Sequence, residues 1–442
     1  MKRMTGELLH PETRDAPTGP RTTGHASSPS QAGRGRSPLR RAAGGVLVPV
    51  AAVVAAIAGA AVFLGTAAVT AAIPVLGAAA LVAVLAVGFL LARPAFALLG
   101  ARRPGSAAVA FAGAVALAVA GASAVTVFRP MPGDQAAPAP AGVAFWDLPT
   151  GSRIAYTAVR AADPRPTPVI FLHGGPGTPG EGVPDVARAL AGRGFDVYAY
   201  DQVGAGRSTR LADVTGYTVA RHVADLEAIR HVLGADKLIL VGRSWGGALT
   251  ARYLAAHPRH VAKAVFVSPG PLWEGSYPDH DTGDPWSVLP PAQARLRDEL
   301  AGTPRMIVQS VLMGLNPNAA HALVPDDEAD PWFRRVMLTG KDATHCPGGP
   351  SAPVHGNRPG FYANQLTSAD AERAADPRPA LRAIEVPALI LRGECDYLKP
   401  EVAEDYRRAL PHAALVPVRG AGHSITAEQP GYLPLLRDFL LR

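Results

Sequence analysis

Only two cysteines, Cys346 and Cys395, occur in this 442-residue chain, and His345 beside the first has no second ligand pair at metal-site spacing. A zinc site therefore has little support, and no metal is expected. Walker loops and dinucleotide fingerprints are missing as well, so no cofactor is expected. No repeat of solenoid length is present, which excludes a stacked-repeat architecture. The most telling absence is of charge: from Ala42 to Ala92 there is no Asp, Glu, Lys or Arg.

A bilayer core needs about 20 apolar residues per helix, so this run has room for two crossings, with Pro74 near the break. One helix is expected from about Val46 to Leu64, a second from about Ile73 to Leu91, and a third fits Ala107 to Val127. The segment is far longer than the apolar part of a signal peptide and starts too deep in the chain for one. Ala and Gly dominate these spans and are only mildly apolar, so three crossings is a count that composition weakens.

The net charge of +7 invites a nucleic-acid reading, but the positions of the charges argue against it. Up to Arg41 there are eight basic residues against three acidic ones, and Arg93, Arg102, Arg103 and Arg129 flank the apolar spans. With those set aside, the remainder is close to neutral, so no nucleic-acid partner is expected. The arginines follow the positive-inside rule: tail and Arg93 to Arg103 loop in the cytoplasm, charge-free turn near Gly65 outside. Three crossings then export the C-terminal body, and the expected location is a cell membrane, multi-pass, with that body extracytoplasmic. An oxidising compartment permits a Cys346–Cys395 bond tying an insertion to a neighbouring loop. Spacing cannot show whether the Cα atoms approach within about 7 Å, and free, partly buried thiols are the favoured expectation.

Composition divides the chain into a disordered basic tail (1–41), a membrane region (42–128), a Pro- and Ala-rich linker (129–142) and a body (143–442). In the body short apolar strands alternate with amphipathic helices, which predicts an α/β fold: a mostly parallel sheet with helices on both faces. Strands are expected at Arg153 to Val159, Val169 to Leu172, Asp196 to Tyr200, Leu238 to Val241, Ala262 to Ser268, Ala388 to Arg392 and Ala414 to Val418. Helices are expected at Val183 to Gly192, Tyr217 to Leu233, Ala248 to Ala256, Val402 to Leu410 and Tyr432 to Leu441. The alternation stops between about 271 and 382, where helical stretches such as Ala292 to Leu300 and Pro331 to Leu338 form a candidate cap.

Gly242-Arg243-Ser244-Trp245-Gly246-Gly247 follows the strand Leu238 to Val241 directly. A strand turning sharply into a helix leaves no room for flanking side chains, so glycines bracket a serine whose hydroxyl projects above the sheet. Ser244 is the candidate nucleophile. Acyl transfer by serine also needs a base, an acid to orient it, and oxyanion donors. His423, in Gly420-Ala421-Gly422-His423, is the candidate base; Asp396, in Gly393-Glu394-Cys395-Asp396, is the candidate acid, with Glu394 its rival. All three fall just past strands, in the order Ser, Asp, His. The amides of Gly175, in Phe171-Leu172-His173-Gly174-Gly175-Pro176-Gly177, and Trp245 are the candidate oxyanion donors.

Three segments, His173 to Gly177, Asp201-Gln202-Val203-Gly204-Ala205-Gly206-Arg207-Ser208 and Gly242 to Gly247, resemble the proline iminopeptidase branch of the α/β-hydrolases. The resemblance spans about Val143 to the C-terminus and leaves out the membrane region. It implies a capped α/β-hydrolase fold and a serine peptidase that releases N-terminal residues, often proline, with Ser244, Asp396 and His423 as triad and Gly175 and Trp245 as oxyanion donors. Val203 stands where the branch usually has Arg, and Arg243 and Gly247 depart from its Gly-Gly-Ser-Trp-Gly-Ser form. Recognition of an α-ammonium group calls for carboxylates in a largely apolar pocket, for which Glu274, Asp326, Asp327, Glu328 and Asp330 are available. Asp326 to Asp330 reads more simply as a solvated helix start, and Trp273, Trp286 and Trp332 as cap packing. The expected partners are thus a small peptide or ester substrate and the bilayer. An esterase or lipase with the same triad is the alternative, a non-catalytic membrane receptor of the same fold a more distant one, and the oligomeric state is left open.

Overall fold

The computed structural model describes residues 37–133, 137–277, 281–349, 355–426, 429 and 431–442. Most of the expected tail lies outside the described residues. Pro38 to Arg41, grouped with the tail by composition, instead open the first helix, with Pro38 at its start where a missing N–H costs nothing.

The apolar third folds as α1 (Pro38–Ala67), α2 (Ile73–Leu99) and α3 (Pro104–Thr126), three helices long and apolar enough to cross a membrane. Their Ala and Gly residues have a structural use that mean apolarity conceals. Gly44, Ala51, Ala55, Gly59 and Ala67 of α1, Gly88, Ala92 and Ala95 of α2, and Ala108, Ala112 and Ala116 of α3 are buried, with Leu76 and Val84 of α2 the larger residues among them. Small residues in such stripes let helix backbones approach closely where lipid offers no hydrophobic drive.

The body is built on an eight-stranded sheet of order β1-β2-β4-β3-β5-β6-β7-β8. Its strands are β1 (Ala144–Asp147), β2 (Arg153–Val159), β3 (Val169–Leu172), β4 (Val197–Tyr200), β5 (Leu238–Arg243), β6 (Val261–Val267), β7 (Ala388–Gly393) and β8 (Ala413–Val418). β1 and β2 are antiparallel to their neighbours and the other pairings are parallel. Alternate strand residues point to opposite faces. Val169, Ile239 and Leu389 thus pack in one core with α4 (Val186–Ala191) and α14 (Tyr432–Leu441). Ile170, Leu240 and Ile390 pack in the other, with α5 (Val219–Val232), α6 (Trp245–Ala256) and α13 (Pro400–Ala409). Burial on both faces explains why these strands are short continuous apolar runs.

Between β6 and β7 the chain forms α7 (Pro291–Ala301), α8 (Pro304–Leu315), α9 (Pro317–Leu323), α10 (Asp326–Thr339), α11 (Phe361–Arg373) and α12 (Arg378–Leu381). Pro331, which reads as a helix start, lies inside α10; the start is at Asp326, with Asp326, Asp327 and Glu328 in the first turn, where the positive end of the helix dipole favours them. This layer rests on the apolar helices. Arg305 Nη1 donates to Val127 O (2.7 Å), Asn316 Nδ2 to Ala67 O (2.9 Å), and the Met131 amide to Glu328 Oε2 (2.9 Å). Leu76 and Ala67 of the apolar helices share one hydrophobic core with Leu312, Leu323 and Phe333 of the cap.

Candidate active site

β5 runs into α6 with no linker, and Ser244 takes the turn at φ 53°, ψ −122°. A non-glycine residue held at positive φ costs on the order of 1–3 kcal/mol and persists where its surroundings enforce it. Here the Ser244 amide donates to Val267 O (3.0 Å), while its carbonyl accepts from Gly247 N (2.8 Å) and Gly270 N (2.9 Å). The flanking glycines are required by space: a Cβ on Gly242 would lie 2.2 Å from Gly246 O, and one on Gly246 would lie 2.3 Å from Leu172 O. The Ser244 side chain makes no capping bond to α6 and lines a cavity of about 760 Å³ together with Gly174, Gly175, Trp245 and His423.

His423 and Asp396 meet behind that cavity. Nδ1 of His423 lies 2.8 Å from Asp396 Oδ1, both side chains nearly buried. Burial alone would raise the Asp396 carboxyl, but the His423 bond and charge and the Leu398 amide outweigh it and hold the group below the usual carboxylate range. An ionised Asp396 can only accept, so His423 Nδ1 donates to it and Nε2 is left as the basic nitrogen. Glu394, the rival acid, is exposed and accepts from the Gly420 amide instead. The two loops fit because both lack side chains where they cross: a Cβ on Gly393 would lie 1.9 Å from Gly422 O.

Cys346 and Cys395 form a disulfide, with Cα atoms 5.2 Å apart. This corrects the expectation of free thiols; the fold brings together two residues 49 positions apart. Beside the bridge, Thr344 O accepts from the Ser424 amide (2.9 Å), so the cap segment braces the loop that carries His423.

The glycine loop after β3 is held by residues to which sequence reasoning gave no role. Gln202, quoted only as part of a motif, is buried and donates from its amide to His173 Nε2 and from Nε2 to His173 O, both at 2.9 Å. Its Oε1 accepts from Trp245 Nε1 (2.9 Å), joining the two loops that carry the candidate oxyanion donors. Burial pulls the His173 pKa down to about 4; the Gly174 carbonyl opposes this and the Arg243 charge adds to it. His173 is therefore neutral, donating from Nδ1 to Gly174 O (2.9 Å). Trp245 is the first residue of α6, and first-turn amides have no acceptor within their own helix.

Of the five cap carboxylates, Glu274 alone lines the cavity. Asp330 pairs with Arg210 (2.8 Å), Glu328 with Arg305 (2.9 Å) and Asp326 with His321 (2.9 Å). Trp273, Trp286 and Trp332 all line it. His355, Tyr397 and Arg243 are further lining residues, the Tyr397 ring lying 4.3 Å from that of His423.

A family model described as alpha/beta hydrolase fold matches residues 167–338. A bifunctional esterase/perhydrolase of Acinetobacter calcoaceticus is 30% identical over 238 residues, 54% of this chain and 77% of that protein. Sheet order, elbow and sequence agree, and the chain belongs to the α/β-hydrolase family. Proline iminopeptidase of Heyndrickxia coagulans is 29% identical over 281 residues, 62% of this chain and 90% of the relative. That of Lactobacillus delbrueckii subsp. bulgaricus is 28% identical over 300 residues, 66% and 96%. Within the family the chain falls in the proline iminopeptidase branch. The crystal structure of a Mycobacterium smegmatis proline iminopeptidase aligns with a TM-score of 0.44 at 21% identity, over 68% of this chain and 97% of that one.

Proposed function

We propose that this chain is a membrane-anchored serine hydrolase working through an acyl-enzyme, with peptides bearing a free N-terminal residue, proline foremost, as its substrates. The observation that carries the reading is the strained Ser244 facing a cavity shared with His423, itself hydrogen-bonded to Asp396. In this mechanism His423 Nε2 takes the Ser244 hydroxyl proton as Oγ attacks the acyl carbonyl, and Asp396 fixes the tautomer and supports the imidazolium. The Gly175 and Trp245 amides receive the oxyanion, and His423 then protonates the leaving amine. Water, deprotonated by the same imidazole, releases the acyl group.

The curated proline iminopeptidases support the peptide reading. An esterase reading is favoured by a different observation: among the described residues only Glu274 and Glu372 bring carboxylates to the cavity lining, a thin provision for an α-ammonium group. Turnover of prolyl- and alanyl-p-nitroanilide against p-nitrophenyl butyrate, with Ser244→Ala as blank, separates the two. Preference for the anilides supports the aminopeptidase; turnover of the ester alone replaces it with an esterase. Failure of a fluorophosphonate to label Ser244 would remove the serine mechanism altogether.

The anchor reading takes α1 to α3 as three crossings, with Arg40, Arg41, Arg102 and Arg103 on the cytoplasmic side and the catalytic body outside; Arg93, expected in the connecting loop, lies instead in the last two turns of α2. The Cys346–Cys395 bridge supports an oxidising compartment for that body. Labelling of a cysteine introduced at exposed Arg419 in intact cells tests this, and protection from an impermeant maleimide would reverse the orientation.

A further inference from the structure

Among the described residues five lysine and arginine side chains line the cavity: Arg243, Arg252, Arg297, Arg334 and Lys341. Four of them bond to backbone carbonyls or carboxylates. Arg252 donates to the carbonyls of Ala375 and Leu272, Arg334 to His355 O, while Arg297 and Lys341 pair with Asp298 and Asp342. Arg243 differs: among the described residues neither a carboxylate nor a backbone carbonyl accepts from it, and its donor contact is a 3.2 Å bond from Nη1 to Ser424 Oγ. Its electrostatic neighbours are His173, His355, Tyr397 and Tyr432, none of them an anion at neutral pH. A guanidinium presents five N–H donors, and a buried charge without a counter-ion is costly. The residue also stands immediately before the nucleophile, where the branch it belongs to usually has glycine, so this charge is a feature of this chain.

The direction of the side chain indicates which half of a substrate it meets. Ser424 follows His423 in the chain, and Tyr397, beside Arg243, packs on the His423 ring. A general acid must reach the departing group, so the imidazole side of Ser244 is the leaving-group side.

We propose that Arg243 is the seat of a carboxylate on the leaving group, so that the preferred substrate is a dipeptide whose second residue has a free C-terminus. This rests on the serine-hydrolase reading above and deepens it. A planar guanidinium matches a carboxylate through two parallel N–H bonds, and the carboxylate of a departing amino acid lies only three bonds from the scissile carbonyl carbon. The charge thereby selects short peptides over long ones, whose C-terminus lies too far away.

The test uses the full chain in nanodiscs and a matched pair, prolyl-glycine and prolyl-glycinamide, which differ only in the carboxylate. Binding to Ser244→Ala is measured by calorimetry, and turnover is measured on the unmodified protein. The acid should be preferred about tenfold in Kd and in kcat/KM, a magnitude typical of a charge-assisted contact. Arg243→Gln should bring the pair within about twofold, and Arg243→Lys, which keeps the charge without the fork, should fall between. Equal binding of acid and amide overturns the proposal. So does an equal loss on both in Arg243→Gln, which would mark the arginine as a support for the His423 loop only. A second pair, monoethyl and diethyl succinate, places the carboxylate in the acyl group; discrimination there alone overturns the leaving-group assignment. If the unmodified protein hydrolyses neither peptide nor ester while Ser244→Ala still distinguishes acid from amide, the hydrolase reading fails and the carboxylate seat stands.

Discussion

Replacing both Cys346 and Cys395 by alanine should lower stability and slow the chemistry together, because the bridge joins the cap to the loop that carries Asp396. Its partners lie 49 residues apart, and the loop-entropy relation gives about 4 kcal/mol for a closure of that length. For a catalytic body of this size such a loss lowers the unfolding midpoint by about 6 °C. Activity is drawn in through geometry. The segment ending at Cys346 supplies Thr344 O to the Ser424 amide, and the Cys395 amide donates to Ala421 O (3.0 Å), so the two sides of the His423 loop lean on Cys395 and on a residue two positions from Cys346. Loosening them should reduce kcat more than it raises KM. The assay is thermal unfolding of the full chain in nanodiscs, with and without reductant, beside turnover of a saturating substrate. Reductant should reproduce the double variant's shift in the unmodified protein and add nothing to the variant itself. Two titratable thiols in the denatured, unreduced protein, or an unmoved midpoint in the double variant, would refute the reasoning.

Gln202→Leu removes the side-chain bonds that join the His173 loop to Trp245, and should cost kcat about tenfold to a hundredfold, less than the loss of a whole oxyanion donor; an unchanged kcat would show that the two loops hold their spacing without it. Stability should decline on acidification, because burial holds His173 at about 4 and His222 at about 3, both below the ordinary histidine value. With folded pKa values depressed, their contribution is complete above about pH 6.5 and is lost as the pH falls towards 4, at about 1.4 kcal/mol per pH unit for each histidine; identical denaturant midpoints at pH 7 and pH 5 would contradict this. Arg305→Ala strands the nearly buried Glu328 and frees the carbonyls of Val127 and Leu323, for an expected loss of about 3–5 kcal/mol. A midpoint within 2 °C of the parent's would argue that water or a neighbouring cation replaces the guanidinium.

The strands were legible because burial on both faces makes them short apolar runs such as Val169 to Leu172, and the elbow because Gly242 and Gly246 have no room for a Cβ. The cap was read poorly for the opposite reason. Pro304 and Pro317, which look like breaks, are the first residues of α8 and α9, where proline is favoured. β1 is four residues long and went unread. Asp396 could not be separated from Glu394 by sequence, since both follow β7; the choice comes from which one faces the His423 ring. The cap carboxylates illustrate a general difficulty: Asp330 and Glu328 look available in sequence and are engaged by Arg210, 120 residues away, and Arg305, on another helix of the cap.

The shared core of cap and apolar helices makes the N-terminal third a foundation and not a mooring line. Ala67 and Leu76 belong to the same buried cluster as Leu312 and Leu323, and Phe63, Leu64 and Val127 pack against it. Cutting the chain in its Pro-rich linker would therefore bare the underside of α8, where Ile307, Val311 and Leu315 are already half exposed. A truncated catalytic fragment would also bring solvent towards Leu312 and Leu323, which are buried in the intact chain. Among the described residues Arg305, Asn316 and Glu328 tie the body to Val127, Ala67 and Met131, so the cavity should keep one height and one tilt relative to α1, α2 and α3.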